Sequence, residues 1–573
     1  MEAPGDYSGR AVGTVACFSL SILGLMQNQV SFLVLLLTVL PVVLALDANS
    51  QETARGTVYH DSNENQQRDP GEEGIPGVSV SNGRTVTQTD DDGQYTLPVR
   101  EGEFLFVTKP AGYMVPVDEH NRPQFYHLHD PDGTPDSLDL KFPGVEPTGA
   151  LPDSVNFPLY QQDPKTSFRA LAFADPQAGS HEDLRFVRDD VLNEATGTTA
   201  AFGITVGDVV ADDLSLYPRH LRNVGAVGIP WWRVPGNHDM NYQVPSDKHA
   251  TETYKRHFGP TNYSFEYGNV HFIALDNVQY KGQGESFEYS GIYRGYVNEK
   301  QLAWIEEDLA SVPKDKLVVI ATHIPLKTYA VGDTTSSWLP GTTNLGALMD
   351  LLSAYSVYSI SGHDTSNSWH VYLDDDNGWT GPGTLHHHVL AEVRGGSWEG
   401  PRDDRNVPAA TMEDGTPNGY YTLHFDGTDY EAQFKAASRP SDWQMRVTVH
   451  QPTGGEYQAH AGQWSPPTLF VNVFDGGPKT TVRYLIGDRE PVSMERTIEN
   501  DPFMERLHQR VEETPEAVAR PEPSSHLWKA PLPADLQAGT HKVTVVSTNE
   551  FGRTDTTSTL VEVKAQAGAD ASE

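Results

Sequence analysis

Cysteine is nearly absent. The 573 residues hold one, Cys17, and it precedes an apolar N-terminal run, so the chain beyond that run has no thiols and no disulfide staples. Positive charge is scarce too: 41 Lys and Arg stand against 78 Asp and Glu, a formal charge of −37 at pH 7. Such a surface repels nucleic acid and anionic membrane, so neither is an expected partner. Long hydrophobic runs are confined to the N-terminus, where Val30 to Leu46 (VSFLVLLLTVLPVVLAL) ends beside Ala45 and Ala48. That pattern reads as a secretory leader over 1–48 and predicts export to the periplasm, cell envelope or medium. A retained membrane anchor is the alternative, kept open by the apolar stretch Val12 to Met26.

What is present falls into blocks. At this length three or four domains are expected. From 49 to 116 apolar and polar residues alternate between Gly, Asn and Asp turns, as in GVSVSNGRTVTQTDDDGQYTLPV, which predicts a small β-sandwich. Within it Asp61, Asn63, Asn65, Gln67, Asp69 and Glu72 put oxygen ligands at alternate positions with a carboxylate at the twelfth, the spacing of a calcium loop, although Gln66 stands where such loops prefer glycine. An acidic, solvated turn is the other reading. The block GTVYHDSNENQQRDPGEEGIPGVSVSNG resembles calcium-binding modules of exported bacterial proteins. A polar, Pro-rich stretch over 117–165 reads as a linker. From 166 to 403 apolar strands alternate with helix-like segments, one of them following Ser180, a good N-cap, with Leu184, Val187, Val191 and Leu192 on one face. Strand patterning without helical periodicity returns over 404–566, predicting a second β-sandwich, and 567–573 reads as a disordered tail.

Five strand-like runs of the central block end in residues that ligate metals. Phe168 to Ala174 leads to Asp175-Pro176-Gln177, Ala201 to Val206 to Gly207-Asp208, and Trp231 to Val234 to Gly236-Asn237-His238-Asp239. Leu317 to Thr322 ends at His323, and Tyr355 to Ser361 at Gly362-His363. Open α/β sheets gather functional groups at such strand ends, and mixed oxygen and imidazole ligands suit divalent zinc, manganese or iron. The glycines before Asp208, Asn237 and His363 are expected to form the tight turns that aim each ligand inward.

These motifs, over about Phe168 to Arg402, resemble the calcineurin-like metallophosphoesterases. Flanking segments such as YSFEYGNVHFIALDN and HHHVLAEVRGGSWEG are similar to an exported bacterial subfamily with its own N-terminal and C-terminal β-domains. The resemblance implies a central four-layer αββα sandwich flanked by two all-β sandwich domains. It implies two divalent transition metals, Mn, Fe or Zn, that activate water for in-line attack on a phosphoester. Asp208 would bridge them, Asn237, His323 and His363 would complete the second, and Asp175 would hold the first. His238 would face the substrate as the catalytic residue. Two departures touch the first metal: Gln177 replaces the family's histidine, and Thr365 replaces the last histidine of Gly-His-x-His, leaving GHDT. The first site is then weak, water-filled or dependent on Asp364. The triple histidine His386-His387-His388 is a possible substitute, but adjacent strand residues alternate faces, so either His386 and His388 or His387 alone can point to the centre. Trp231, Trp232, Tyr242, Tyr254 and Tyr263 flank the motifs, as ligand-stacking or core residues. The expected activity is hydrolysis of a small phosphomonoester or phosphodiester. The alternative is an exported, non-catalytic or weakly catalytic protein that binds phospho-ligands or glycans, with envelope or glycan partners held by its β-domains.

Overall fold

The computed structural model describes residues 51–287, 291–327, 341–450, 459–460, 467–511 and 517–564. The leader over 1–48 and the tail over 567–573 lie outside them. Among the described residues no helix is long and apolar enough to cross a membrane.

Alternation builds the N-terminal module. In Gln94–Val99 the residues Tyr95, Leu97 and Val99 are buried while their neighbours face outward. Two four-stranded sheets result, ordered 94–99, 52–60, 157–161, 113–114 and 86–88, 79–81, 103–107, 126–129. The stretch expected as a linker is therefore part of the sandwich. Tyr126–His129 pairs with Glu103–Val107, and Phe157–Gln161 pairs in parallel with Glu52–His60. Its polar composition hid them because Phe125, Val155, Phe157 and Leu159 are isolated apolar residues rather than a run, yet all four are buried in the common core.

The central domain faces two sheets against each other. One runs 231–234, 202–206, 167–173, 419–426, 429–436, and the other 262–267, 270–275, 317–321, 356–361, 385–389, 369–373. Phe168, Phe202, Trp232, Phe265, Phe272 and Phe425 fill the space between them, with Trp232 stacked on Phe265 at 4.1 Å between ring centres. Helices cover the outer faces. The helix His181–Phe186 starts at Ser180, whose side chain accepts from Asp183 N, and Leu184, Val187, Val191 and Leu192 pack with Leu171 and Phe173. Glu299–Leu309 and Leu345–Leu352 bury Trp304, Ile305 and Leu348 with the core that includes the second sheet.

The boundary expected at 404 differs in the structure. Gly419–Asp426 lies antiparallel to Ser167–Phe173, so this strand and Asp429–Ala436 complete the first sheet of the central domain. The C-terminal sandwich begins at Met445–His450 and has its own core around Leu469, Val471, Trp528 and Val543. It also contains a helix, Pro502–Val511, where only strands were expected.

Candidate metal centre

The parallel strands deliver their last residues to one place. Strands 167–173, 202–206 and 231–234 run side by side, as do 317–321 and 356–361, so Asp175, Asp208, Asn237, His323 and His363 all follow C-terminal strand ends of the two facing sheets. Five residues here adopt the left-handed region at a cost in backbone energy: Asp175 at φ 46°, Gln177 at 34°, Asp208 at 47°, Asp212 at 63° and His363 at 73°. The ligands, rather than the glycines alone, thus carry the turns. Gly207 has a positive φ of 91°, but Gly362 serves close approach instead, since a Cβ there would lie 2.0 Å from Asp175 Oδ2.

His323 is fully buried, and its Nδ1 donates to Val206 O at 3.0 Å, which leaves Nε2 as an acceptor. That Nε2 faces Asn237 Oδ1 at 3.0 Å and Asp208 Oδ1 at 3.3 Å, two further acceptors, and His363 Nδ1 lies 3.1 Å from it. The carboxylate and imidazole atoms of Asp208, His323 and His363 all fall within 4.8 Å of one another. Acceptors brought together in a buried site require positive charge. Either a divalent cation or a second proton on His323 supplies it: burial opposes that proton, but Asp208 and then Asp175 outweigh it and raise the His323 pKa to about 10. Burial, reinforced by His323, pushes His363 down to about 3, as suits a neutral ligand. The donor set therefore fits a divalent metal of the zinc, manganese or iron class.

The first-metal side is thinner. Asp175 is fully buried and accepts from His363 N at 3.0 and 3.2 Å; burial raises its pKa to about 7 against the effect of His323, and Asp208 adds to the rise. Gln177 is buried with its Oε1 lacking any hydrogen-bond partner, an orphan acceptor suited to a ligand role. Neither proposed stand-in reaches this side. Asp364 Oδ1 accepts from Ser366 N, Ser366 Oγ and Asn367 N, and its Oδ2 from Trp369 Nε1, so this carboxylate closes its own turn. Thr365 is half-buried. The histidines 386–388 do alternate, but none joins the centre. His387 accepts from Leu326 N and lies 3.1 Å from Ser359 Oγ, while His386 and His388 face the C-terminal module.

His238 stands at the rim, its side chain 32% exposed, with Nδ1 donating to Asp212 Oδ1 at 2.8 Å and its backbone N to Asp208 Oδ1 at 2.8 Å. Burial lowers its pKa, but Asp208 and Asp212 more than offset this and raise it. Sequence reasoning gave no role to four residues around the centre. Asp212 orients His238. Asp239 accepts from Gly236 N, Val209 N and Tyr217 OH and so holds the Asn237 turn. Glu392, fully buried and bridged to Ala174, binds Arg394 Nε through Oε2 at 3.0 Å, and Arg394 interacts electrostatically with Asp175 and Asp208. The only sequence signal for the last pair was their place after the strand Leu385–Val389. Trp231, Trp232, Tyr254 and Tyr263 are core residues; Tyr242 alone of the flanking aromatics is at the site, donating to Asn237 O at 2.6 Å.

In the N-terminal loop the carboxylates are drawn inward by backbone and side-chain amides. Asp61 accepts from Asn65 N and Gln66 N, Glu72 from Ser62 N and Asp69 N, and Asp69 from the side-chain amides of Asn63 and Asn65. Gln66 takes the positive φ of 62° that favours glycine there, and Gln67 is exposed.

A two-sheet α/β sandwich whose strand ends converge in such a donor set defines a candidate metal-binding protein of the open α/β class. Three family models match in chain order: the N terminal of Calcineurin-like phosphoesterase over 62–143, Calcineurin-like phosphoesterase over 168–366, and the C terminal of Calcineurin-like phosphoesterase over 387–554. The chain belongs to the calcineurin-like phosphoesterase family, with that family's N- and C-terminal modules. Among solved structures it is similar to a purple acid phosphatase from yellow lupin (Lupinus luteus) seeds, at 11% identity over 64% of this chain and 67% of that one, with a TM-score of 0.31. No curated protein matches it.

Proposed function

We propose that the protein is an exported hydrolase of small phosphomonoesters or phosphodiesters working with two unequally held divalent metal ions, Mn, Fe or Zn. The observation that carries this reading is the group of ligand atoms around His323 Nε2, from Asp208, Asn237 and His363, in a buried site whose donor set fits a divalent cation. These four residues would hold the tighter ion; Asp175, Gln177 and the shared Asp208 would hold the weaker. Bound there, such ions supply the charge that activates water and neutralises phosphoryl oxygens. The chain's own groups do the remainder. His238, oriented by Asp212 through Nδ1, delivers a proton to the leaving oxygen from its other ring nitrogen, Nε2. Arg394, steadied by Glu392, contributes fixed positive charge for the phosphoryl oxygens. Hydrolysis of a chromogenic phosphomonoester and phosphodiester with added manganese tests the reading. Asp208→Ala should abolish the activity of a folded protein; a metal-replete but inactive unmodified protein would favour phospho-ligand or glycan binding instead.

Export rests on the apolar run Val30 to Leu46 and is tested by fractionating cells that express the full chain. Calcium in the N-terminal loop is supported by the inward carboxylates of Asp61, Asp69 and Glu72, with Asn63, Asn65 and Gln67 as further oxygen donors. Calcium should raise the melting temperature of the full chain and fail to do so after Asp61→Ala. Envelope or glycan contact through the β-modules is testable by binding of the full chain to a glycan array.

A further inference from the structure

The triple histidine takes no part in the metal centre, yet it is fully buried and faces chemistry of its own. His388 lies directly opposite His370 on the neighbouring strand Trp369–Leu373. Beyond them stands Asp475, just after the C-terminal module's strand Thr468–Val473, and Glu550, in the turn between Gly539–Thr548 and Thr554–Lys564. We propose that His370, His388 and Asp475 bind a zinc-type ion that pins the C-terminal module to the central domain.

The hydrogen-bond network around Asp475 is left open at His370. His370 Nε2 lies 3.3 Å from Asp475 Oδ1 but is buried without a hydrogen-bond partner, because the two atoms are not aligned as donor and acceptor. Two ligands at 2.0–2.1 Å from one tetrahedral ion sit about 3.3 Å apart, with their lone pairs meeting between them instead of on each other. His388 Nε2 is hydrogen-bonded to the same Oδ1 at 2.9 Å, and the three ligand atoms fall within 4.8 Å of one another.

The surrounding groups fix the rings for this role. Tyr358 OH meets His388 Nδ1 at 3.0 Å, which leaves Nε2 toward Asp475, and Tyr421 OH donates to Asp475 Oδ1 at 3.0 Å. The other nitrogen of His370, Nδ1, is held by His386 Nε2 at 2.9 Å with Glu550 Oε1 at 3.6 Å, and Tyr372 OH donates to Glu550 at 2.6 Å. A histidine ligand whose far nitrogen is held by a second polar layer is the usual support of a protein metal site. Charge points the same way. The side chains of Asp475 and Glu550 are only 14% and 9% exposed, and among the described residues neither forms an ion pair with Lys or Arg. Two imidazoles and a carboxylate suit zinc, with water at the fourth position.

Metal analysis of the full-length protein tests the proposal. After extensive dialysis, Asp208→Ala, which disables the catalytic centre, should keep about one equivalent of zinc. Asp475→Asn and His388→Gln should each lose that equivalent while retaining manganese-stimulated hydrolysis, and chelation should lower the melting temperature of the unmodified protein by more than that of these two variants. Should either variant fail to fold, unmodified protein saturated with manganese still decides, since it should bind one further zinc and melt higher with it. No zinc in Asp208→Ala together with no response to zinc in the unmodified protein would overturn the site, as would equal zinc retention by Asp475→Asn and His388→Gln.

Discussion

Removing the His238 ring separates proton delivery from metal binding. In His238→Ala the backbone N that donates to Asp208 Oδ1 at 2.8 Å remains, so the ligand turn keeps its anchor and only the side-chain function is lost. A positioned proton donor is worth about 10²- to 10⁴-fold in rate, which corresponds to about 2.7–5.5 kcal/mol of barrier. That full loss is expected with an alkyl phosphate, whose leaving oxygen needs a proton. A nitrophenyl phosphate, whose leaving group departs readily as an anion, should lose far less. Asp212 acts only through His238, and its side chain is 56% exposed, so their 2.8 Å pair is worth what exposed pairs usually are. At about 0.2–1 kcal/mol, Asp212→Asn should slow alkyl phosphate hydrolysis only about 1.4- to 5-fold. The assay is kcat and KM for both substrates at saturating manganese, with bound manganese measured alongside. Equal losses on the two substrates, or loss of manganese from His238→Ala, would refute a proton-delivery role and leave His238 a structural support of Asp208.

Thr365→His should restore a ligand on the weaker side and lower the manganese concentration for half-maximal rate, leaving the saturated rate nearly unchanged; two tightly held metals in the unmodified protein with no gain in the variant would refute this. Gly362→Ala should fold but bind the weaker metal poorly, because its Cβ would displace Asp175 Oδ2, 2.0 Å away, and a metal content equal to that of the unmodified protein would contradict the close packing. His271 gives a pH dependence of stability. Burial favours its neutral form, but Asp308, 2.8 Å away, and Glu266 raise its pKa to about 9 from 6.5. The raised value means that this contribution is complete below about pH 6.5 and is lost as pH rises through about 9. Thermal melts from pH 6 to 10 should therefore fall more steeply for the unmodified protein than for His271→Gln, and parallel curves would remove His271 as the cause.

The sequence alone determined where the candidate ligands lie. A strand in a parallel sheet must end where the sheet ends, so a metal-binding residue just past an apolar run has little freedom in where it goes, and Asp175, Asp208, Asn237, His323 and His363 arrived together for that reason. Strand alternation likewise required His387 to part from His386 and His388. Neither rule says what lies opposite. Only the tertiary structure decided that Gly419–Asp426 pairs with Ser167–Phe173 instead of joining the C-terminal sandwich, because an alternating strand reads the same whichever sheet it enters. Only it attached Phe157–Gln161 to Glu52–His60, turned Asp364 back onto Ser366 and Trp369, and brought Glu392 and Arg394 beside Asp175. His386 and His388 were set against Asp475 and Glu550 in the same way, since contacts between residues tens to hundreds of positions apart depend on how whole layers stack, and local periodicity carries no record of that.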